Sequence, residues 1–283
     1  MDEWSEEVLH DDLRIKIRIG RLLFDSKTEH QRLRLFESGT FGRVLTLDSV
    51  VQTTESDEFI YHEMMAHLPI LAHGDAKRVL IIGGGDGGMA EEVLKHDSVE
   101  RVTMVEIDPG VVEFSRKYLP EICKGAFDDA RLNLVIADGA KFVAETDERF
   151  DVAIIDSTDP VGPAEVLFTE AFYGNVKRCL NDGGVIATQN GVPFLQRDEL
   201  TSTVAAFRML FRDATCYLAT VPTYVGGPMA FGWGTDDETL RRVSEDELGQ
   251  RFTDSGIETR YYTPAVHRAA FALPRYIEDM IRG

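Results

Sequence analysis

The chain predicts an α/β fold, a doubly wound and mostly parallel sheet preceded by a small antiparallel β domain. Three observations carry this. Arg78–Asp108 reads as strand, glycine turn, helix, strand and acid, the order of a nucleotide-binding unit. Apolar runs at 79–82, 102–107, 132–136, 151–155 and 184–188 alternate with helical segments, as a parallel sheet requires. Ahead of them, residues 13–53 read as strands, Leu13–Ile19 in a period of two that marks one buried face. The expected division is a β domain over 1–56 and a Rossmann-like domain over 57–283.

The elements follow in order. Leu13, Ile15, Ile17 and Ile19 alternate with Arg14, Lys16 and Arg18, while Gln31–Phe36 and Arg43–Leu47 alternate less strictly between Gly39, Gly42 and Asp48. Asp57–Leu71 turns to helical spacing, with Phe59, Met64, Ala66 and Leu68 as core contacts. Val79–Ile82 is a buried parallel strand; Gly83, Gly84 and Gly85 bend the chain, and Gly87 and Gly88 open a helix ending near His96. Beyond the last parallel strand lie an amphipathic stretch (196–211), strand-like runs (214–221 and 228–235) and helical segments near 244–254 and 274–281.

Composition narrows the function. Across 283 residues, 30 Lys and Arg face 49 Asp and Glu, a formal net charge of -19. Such a balance argues against nucleic-acid and anionic-membrane partners, which select basic surfaces. Six acids among the first twelve residues read as a solvated surface. Cys123, Cys179 and Cys216 lack metal-ligand spacing and read as reduced, partly buried thiols. No signal peptide is visible after Met1, and no apolar run nears the roughly 18 residues of a membrane helix, so a cytoplasmic protein is expected.

The chemistry concentrates on carboxylates. A glycine turn that holds pyrophosphate or an amino-acid tail must accept an anion, and Asp86 would repel one. Asp86 therefore suits a nucleoside with a cationic tail, or else it caps the following helix. Parallel strands deliver ligand contacts at their carboxyl ends. There the sequence offers Asp86, then Glu106 and Asp108, then Asp138 with Gly139, then Asp156 and Asp159, with no lysine or arginine. Together they imply a cation-binding cleft. In Asp156–Phe168, Pro160, Gly162 and Pro163 imply a non-helical loop long enough to close over that cleft.

At this point the sequence resembles a known family. Leu47–Leu71 (LDSVVQTTESDEFIYHEMMAHLPIL), VLIIGGGDGG, TMVEID, DSTDPVGPAEVLF, VPTY and YYTPAVHRAAFALP closely resemble the polyamine aminopropyltransferases, in particular the bacterial spermidine synthases, over nearly the whole chain. The resemblance implies transfer of an aminopropyl group from decarboxylated S-adenosylmethionine to a diamine, usually putrescine, releasing methylthioadenosine without a metal or a separate cofactor. It implies Asp156 as proton acceptor. Asp86 would pair with the donor's ammonium. Glu106 would hold the ribose, Asp138 with Gly139 the adenine, and Gly83, Gly85, Gln31 and Pro163 the rest of the thionucleoside. Tyr61, His62 and Tyr224 would line the amine channel, with Asp159 anchoring a diamine nitrogen. A homodimer is expected, a tetramer being the alternative.

The departures from the family pattern are Ser56 in place of arginine, Ala90-Glu91-Glu92-Val93 after the glycine loop, and Pro193 where some relatives place a glutamine near the amine. The segment His62–His67 (HEMMAH) resembles a zinc-protease helix but spaces its histidines five apart, which does not place both on one face. A methyltransferase is the nearest rival because it shares the fold and Glu106; Asp86 and the Asp156/Asp159 pair oppose it. A dehydrogenase would bring pyrophosphate to Asp86. A polyamine-binding module without turnover is the non-enzyme alternative.

Overall fold

A computed structural model describes residues 3–28, 31–160 and 162–282, the side chain of Pro163 excepted. In the N-terminal region β1 (Trp4–His10) and β2 (Leu13–Arg18) form an antiparallel ribbon. β3 (Arg21–Lys27), β4 (Arg32–Ser38), β5 (Gly42–Leu47) and β6 (Val50–Thr54) form a four-stranded antiparallel sheet in chain order. The early acids are thus more than a solvated surface. Glu6 pairs across the ribbon with Arg14 and Lys16, while Glu7, opposite Ile15, turns toward the interior.

The second region holds β7 (Arg78–Gly83), β8 (Arg101–Glu106), β9 (Leu132–Ile136), β10 (Phe150–Asp156), β11 (Leu180–Gln189), β12 (Asp213–Ala219) and β13 (Met229–Thr235). Their order in one sheet is β12-β13-β11-β10-β7-β8-β9; β13 runs antiparallel to both neighbours, and the pairs among β7 to β11 are parallel. The predicted Rossmann-like sheet is present. The chain builds outward from β7 to β9, then returns to place β10 on the other side of β7. That reversal opens a crevice at the carboxyl ends of β7 and β10, where Gly83 stands opposite Asp156.

Ten helices complete the layers described here. They are α1 (Glu58–His73), α2 (Gly88–Leu94), α3 (Pro109–Tyr118), α4 (Pro120–Cys123), α5 (Gly139–Glu145), α6 (Glu170–Cys179), α7 (Arg197–Leu210), α8 (Glu245–Ser255), α9 (Pro264–Ala270) and α10 (Arg275–Arg282). Successive residues of β7 feed opposite cores. Val79 and Ile81 pack with α1 and α2, and Leu80 and Ile82 with Phe172 and Phe207 of α6 and α7. A strand buried on both faces has no polar side, hence its uninterrupted apolar run. α1 is buried from Ile60 to Ala72, a central strut rather than a surface helix. All three cysteines are buried, not partly so.

One expectation fails. The segment after β10 is not a plain loop, because Gly162–Phe168 forms a 3-10 helix. A proline at the start of a helix costs little, since N–H groups of the first turn lack intrahelical partners anyway.

Candidate active site

Between the β domain and the carboxyl ends of β7, β8 and β10 lies a cavity of about 370 Å³. Nine acidic side chains line it (Glu7, Asp48, Asp57, Glu58, Asp86, Glu106, Asp138, Asp156 and Asp159), with His62 and no lysine or arginine among the described lining residues. A cavity with walls of one sign concentrates ligands of the other.

The glycine turn forms because β7 and β10 run too close for side chains. Gly83 has φ +87, and a Cβ there would fall 2.0 Å from the Asp156 carbonyl oxygen. Gly85 lies against Glu106, where a Cβ would sit 2.9 Å from Oε2. Glu106 closes β8, accepts the Asp108 N–H at 2.8 Å, and burial pushes its carboxyl up to about 7. Asp108 is the N-cap of α3 and also accepts from Thr28 and Gln31, at 2.8 and 3.3 Å, which ties the β domain to the sheet. Gln31 thereby reaches the cavity wall. Asp138 caps α5 through the Lys141 N–H, with Gly139 beside it on the wall. Pro163 falls outside the described side chains.

Asp86 lines the cavity at the start of α2. Its Oδ1 accepts the Gly88 N–H at 3.0 Å, a capping bond, while Oδ2 lies 3.5 Å from Nε2 of His62. The other ring nitrogen of His62 meets Glu58 at 2.7 Å. Burial pushes the imidazole pKa down, but Asp86 and Glu58 outweigh it and hold it up at about 10. His62 therefore borders the cavity as a cation, charge-balancing Asp86. Gly88 makes this possible, since a Cβ there would be 2.3 Å from the His62 ring.

Asp156 ends β10 and accepts the Tyr61 hydroxyl at 2.6 Å. Burial and the nearby Asp86 carboxylate raise its pKa to about 6, against the opposing pull of His62 and Tyr61. Such a carboxylate is ionised at neutral pH yet basic enough to take a proton. Tyr224 stands edge-on to Tyr61 with centroids 6.4 Å apart, its hydroxyl donating to the Gln52 carbonyl. Asp159 accepts from Nε2 of Gln196 at 2.8 Å. The cleft thus brings together Tyr61, His62, Asp86, Glu106, Asp138, Asp156, Asp159, Tyr224 and Gln31 with Gly83, Gly85 and Gly139; of the strand-end carboxylates Asp108 alone is not on the wall, being buried as the cap of α3.

Sequence reasoning missed several groups. Glu7 and Leu9 share the inward face of β1, a signal that the period of two contains. Asp57 accepts from Thr54 at 2.6 Å and from the Thr223 N–H and hydroxyl at 2.7 and 2.6 Å, which fixes the turn bearing Tyr224. Gln189 and Gln196 line the wall near Asp159, whereas Pro193 is buried but not on the wall. HEMMAH has separate duties. Glu63 accepts the N–H groups of Arg260, Tyr261 and Tyr262 at 2.7, 2.8 and 2.7 Å, and His67 meets His96 at 2.9 Å. Among the described residues, no group of three or more His, Cys, Asp or Glu could hold a metal ion, and no helix is long and apolar enough to cross a membrane.

Comparison with known proteins identifies the family. Residues 58–244 match the profile of the spermine/spermidine synthase domain, and residues 3–55 that of the spermidine synthase tetramerisation domain. The chain is 65% identical over 277 residues to a polyamine aminopropyltransferase of Ruegeria sp. (strain TM1040), covering 98% of each chain. It is 58% identical to polyamine aminopropyltransferase 1 of Pseudomonas aeruginosa, covering 98% of this chain and 96% of the relative. Among solved structures, a spermidine synthase in complex with the transition-state analogue AdoDATO superposes with a TM-score of 0.94 at 36% identity, covering 99% of this chain and 95% of that one. This chain belongs to the spermine/spermidine synthase family of aminopropyltransferases.

Proposed function

We propose that this protein is a spermidine synthase, transferring an aminopropyl group from decarboxylated S-adenosylmethionine to putrescine. The observation that carries the reading is Asp156: a half-buried carboxylate raised to about 6, 2.6 Å from the Tyr61 hydroxyl, in a cavity with no lysine or arginine among its described lining residues. Both substrates are cations. The donor lacks a carboxylate, so its tail suits Asp86, and Glu106 accepts the ribose hydroxyls. Asp138 with Gly139 takes the adenine, and Gln31, Gly83, Gly85 and Pro163 complete the thionucleoside site. The likeness to a spermidine synthase that binds a transition-state analogue supports this assignment.

Putrescine enters protonated and cannot attack in that form. Asp159 anchors its distal ammonium, and Tyr61, His62 and Tyr224 line its path. Asp156 accepts a proton from the reacting nitrogen, which then attacks the methylene carbon next to the sulfonium. A C–N bond forms, the C–S bond breaks with its electron pair on sulfur, and neutral methylthioadenosine leaves. A departing thioether needs no acid, so the remaining acceleration comes from in-line positioning and from water exclusion under the 3-10 segment. The exposed Trp4 and Val8 of β1 and the match of residues 3–55 to a tetramerisation domain support assembly through the β domain.

The test is product formation from the decarboxylated donor with putrescine, cadaverine, agmatine and spermidine, with intact S-adenosylmethionine as a parallel donor. The expected result is methylthioadenosine release only from the decarboxylated donor, fastest with putrescine. Another fastest amine would change the acceptor and keep the mechanism. Methyl transfer from the intact donor, with no turnover of the decarboxylated one, would overturn the reading.

A further inference from the structure

Asp159 is not left to solvent to orient. After β11 the chain turns at Gly191, and two successive backbone N–H groups of that turn engage glutamine side chains. Gly191 N–H donates to Oε1 of Gln189 at 3.0 Å, and Val192 N–H donates to Oε1 of Gln196 at 2.9 Å. With both carbonyl ends fixed, both amide NH₂ groups turn the other way, toward Asp159. An amide has two N–H donors. Gln196 gives one to Asp159 Oδ2 at 2.8 Å and has Glu199 Oε1, in the first turn of α7, within 3.1 Å. Each polar atom of Gln196 is thereby engaged, so the side chain has one orientation. A flipped amide would set its oxygen against the Asp159 carboxylate and its N–H donors against the Val192 N–H.

We infer that Gln196 and Glu199 are positioning residues for the acceptor amine. Gln196 holds the Asp159 carboxylate ionised and aimed into the cavity, and Glu199 fixes Gln196. This rests on the amine-anchoring role proposed for Asp159. Burial pushes the Asp159 carboxyl up, and the Gln196 and Gln189 amides pull it back. Burial and Asp159 raise Glu199 to about 8, so at neutral pH it is mostly a neutral acid and adds little repulsion. Its Oε2 is buried without a hydrogen-bond partner among the described residues, so the side chain is retained there for what Oε1 holds. The acceptor end is therefore shaped from α7, beyond the strand-end carboxylates.

Calorimetric titration of putrescine into the methylthioadenosine complex tests this alongside steady-state kinetics. Gln196→Met should weaken putrescine binding and raise its KM about tenfold or more, with methylthioadenosine Kd and donor KM within twofold of wild type. Glu199→Leu should show the same selective loss at about threefold, and Glu199→Gln, which keeps the accepting oxygen, should restore wild-type values. Acceptor binding unchanged in Gln196→Met, or donor and acceptor weakened together, would overturn the inference. Should Gln196→Met not fold, equal behaviour of Glu199→Leu and Glu199→Gln would overturn it instead. Wild type that binds putrescine without turnover would defeat the proposed function and leave this inference standing. If wild type binds none of the four amines, both fall.

Discussion

His62 and His67 stand five residues apart on α1, and the molecule treats them in opposite ways. His62 faces the cleft between Glu58 and Asp86 and is held protonated, with a pKa near 10. His67 faces the packing behind the cleft, against His96 and Tyr262 and with the Glu92 carboxylate 3.0 Å from its Nε2, and burial outweighs the nearby carboxylates and forces it down to about 3. Desolvation opposes charge at both sites; it prevails at His67, whereas Asp86 and Glu58 overcome it at His62. On one side of the helix, buried ionisable groups meet charge left for a ligand to complete. On the other, Glu63 accepts three backbone N–H groups, and Tyr262 and His267 pair at 2.9 Å. The first side borders the cavity, and the second binds the helix to segments distant in the chain.

The contrast can be broken in three ways. The largest effect is expected from Asp156→Asn. It should lower kcat by roughly 10³-fold, within the range of a lost general base, while methylthioadenosine still binds. In wild type, kcat/KM should rise with pH through about 6 as Asp156 ionises. A near-normal kcat in the variant would remove Asp156 from the mechanism.

Acid unfolding comes next. A lowered folded pKa means that the unfolded chain takes the proton first, so stability is lost as pH falls from about 6.5 toward 3. One such group contributes at most about 1.4 kcal/mol per pH unit. His67→Asn should be less stable at pH 7 yet flatter between pH 6.5 and 4, as read from denaturant midpoints. An unchanged slope would place the acid sensitivity elsewhere.

His62 should do the reverse. Its folded pKa is raised, so its contribution is fully present below 6.5 and fades as pH climbs through 10. His62→Gln should flatten the alkaline limb of stability. It should also shift the acid limb of kcat/KM upward by about a unit or less, because His62 is among the groups that lower the Asp156 pKa. No shift in either limb would mean that His62 is neutral.

Legibility in the sequence follows the same division. The parallel strands were readable because burial on both faces leaves apolar runs without interruption. β1 lies outside the stretch read as strands, and β3 and β6 were not delimited within it; their ladders shift register at Val8/His10, Leu22/Phe24 and Leu45/Thr46, which interrupts the alternation. Asp86, Glu106, Asp138, Asp156 and Asp159 were readable because a carboxylate following a parallel strand has its position set by the strand. Gln196 and Asp57 were not. Their partners are supplied by distant segments: Asp159 lies 37 residues from Gln196, and Thr223 lies 166 from Asp57. A polar side chain's use then depends on what the fold brings opposite it.

Glu63 also ties the central helix to a distant segment of the chain. Its backbone partners lie 197 to 199 residues further along. Without Arg260–Tyr262, a helix at the centre of the molecule would hold a buried carboxylate with no donors to satisfy it. The strut that presents Tyr61 and His62 to the cavity thus depends on a long-range contact, whose loop-closure entropy must be met before it stabilises the helix.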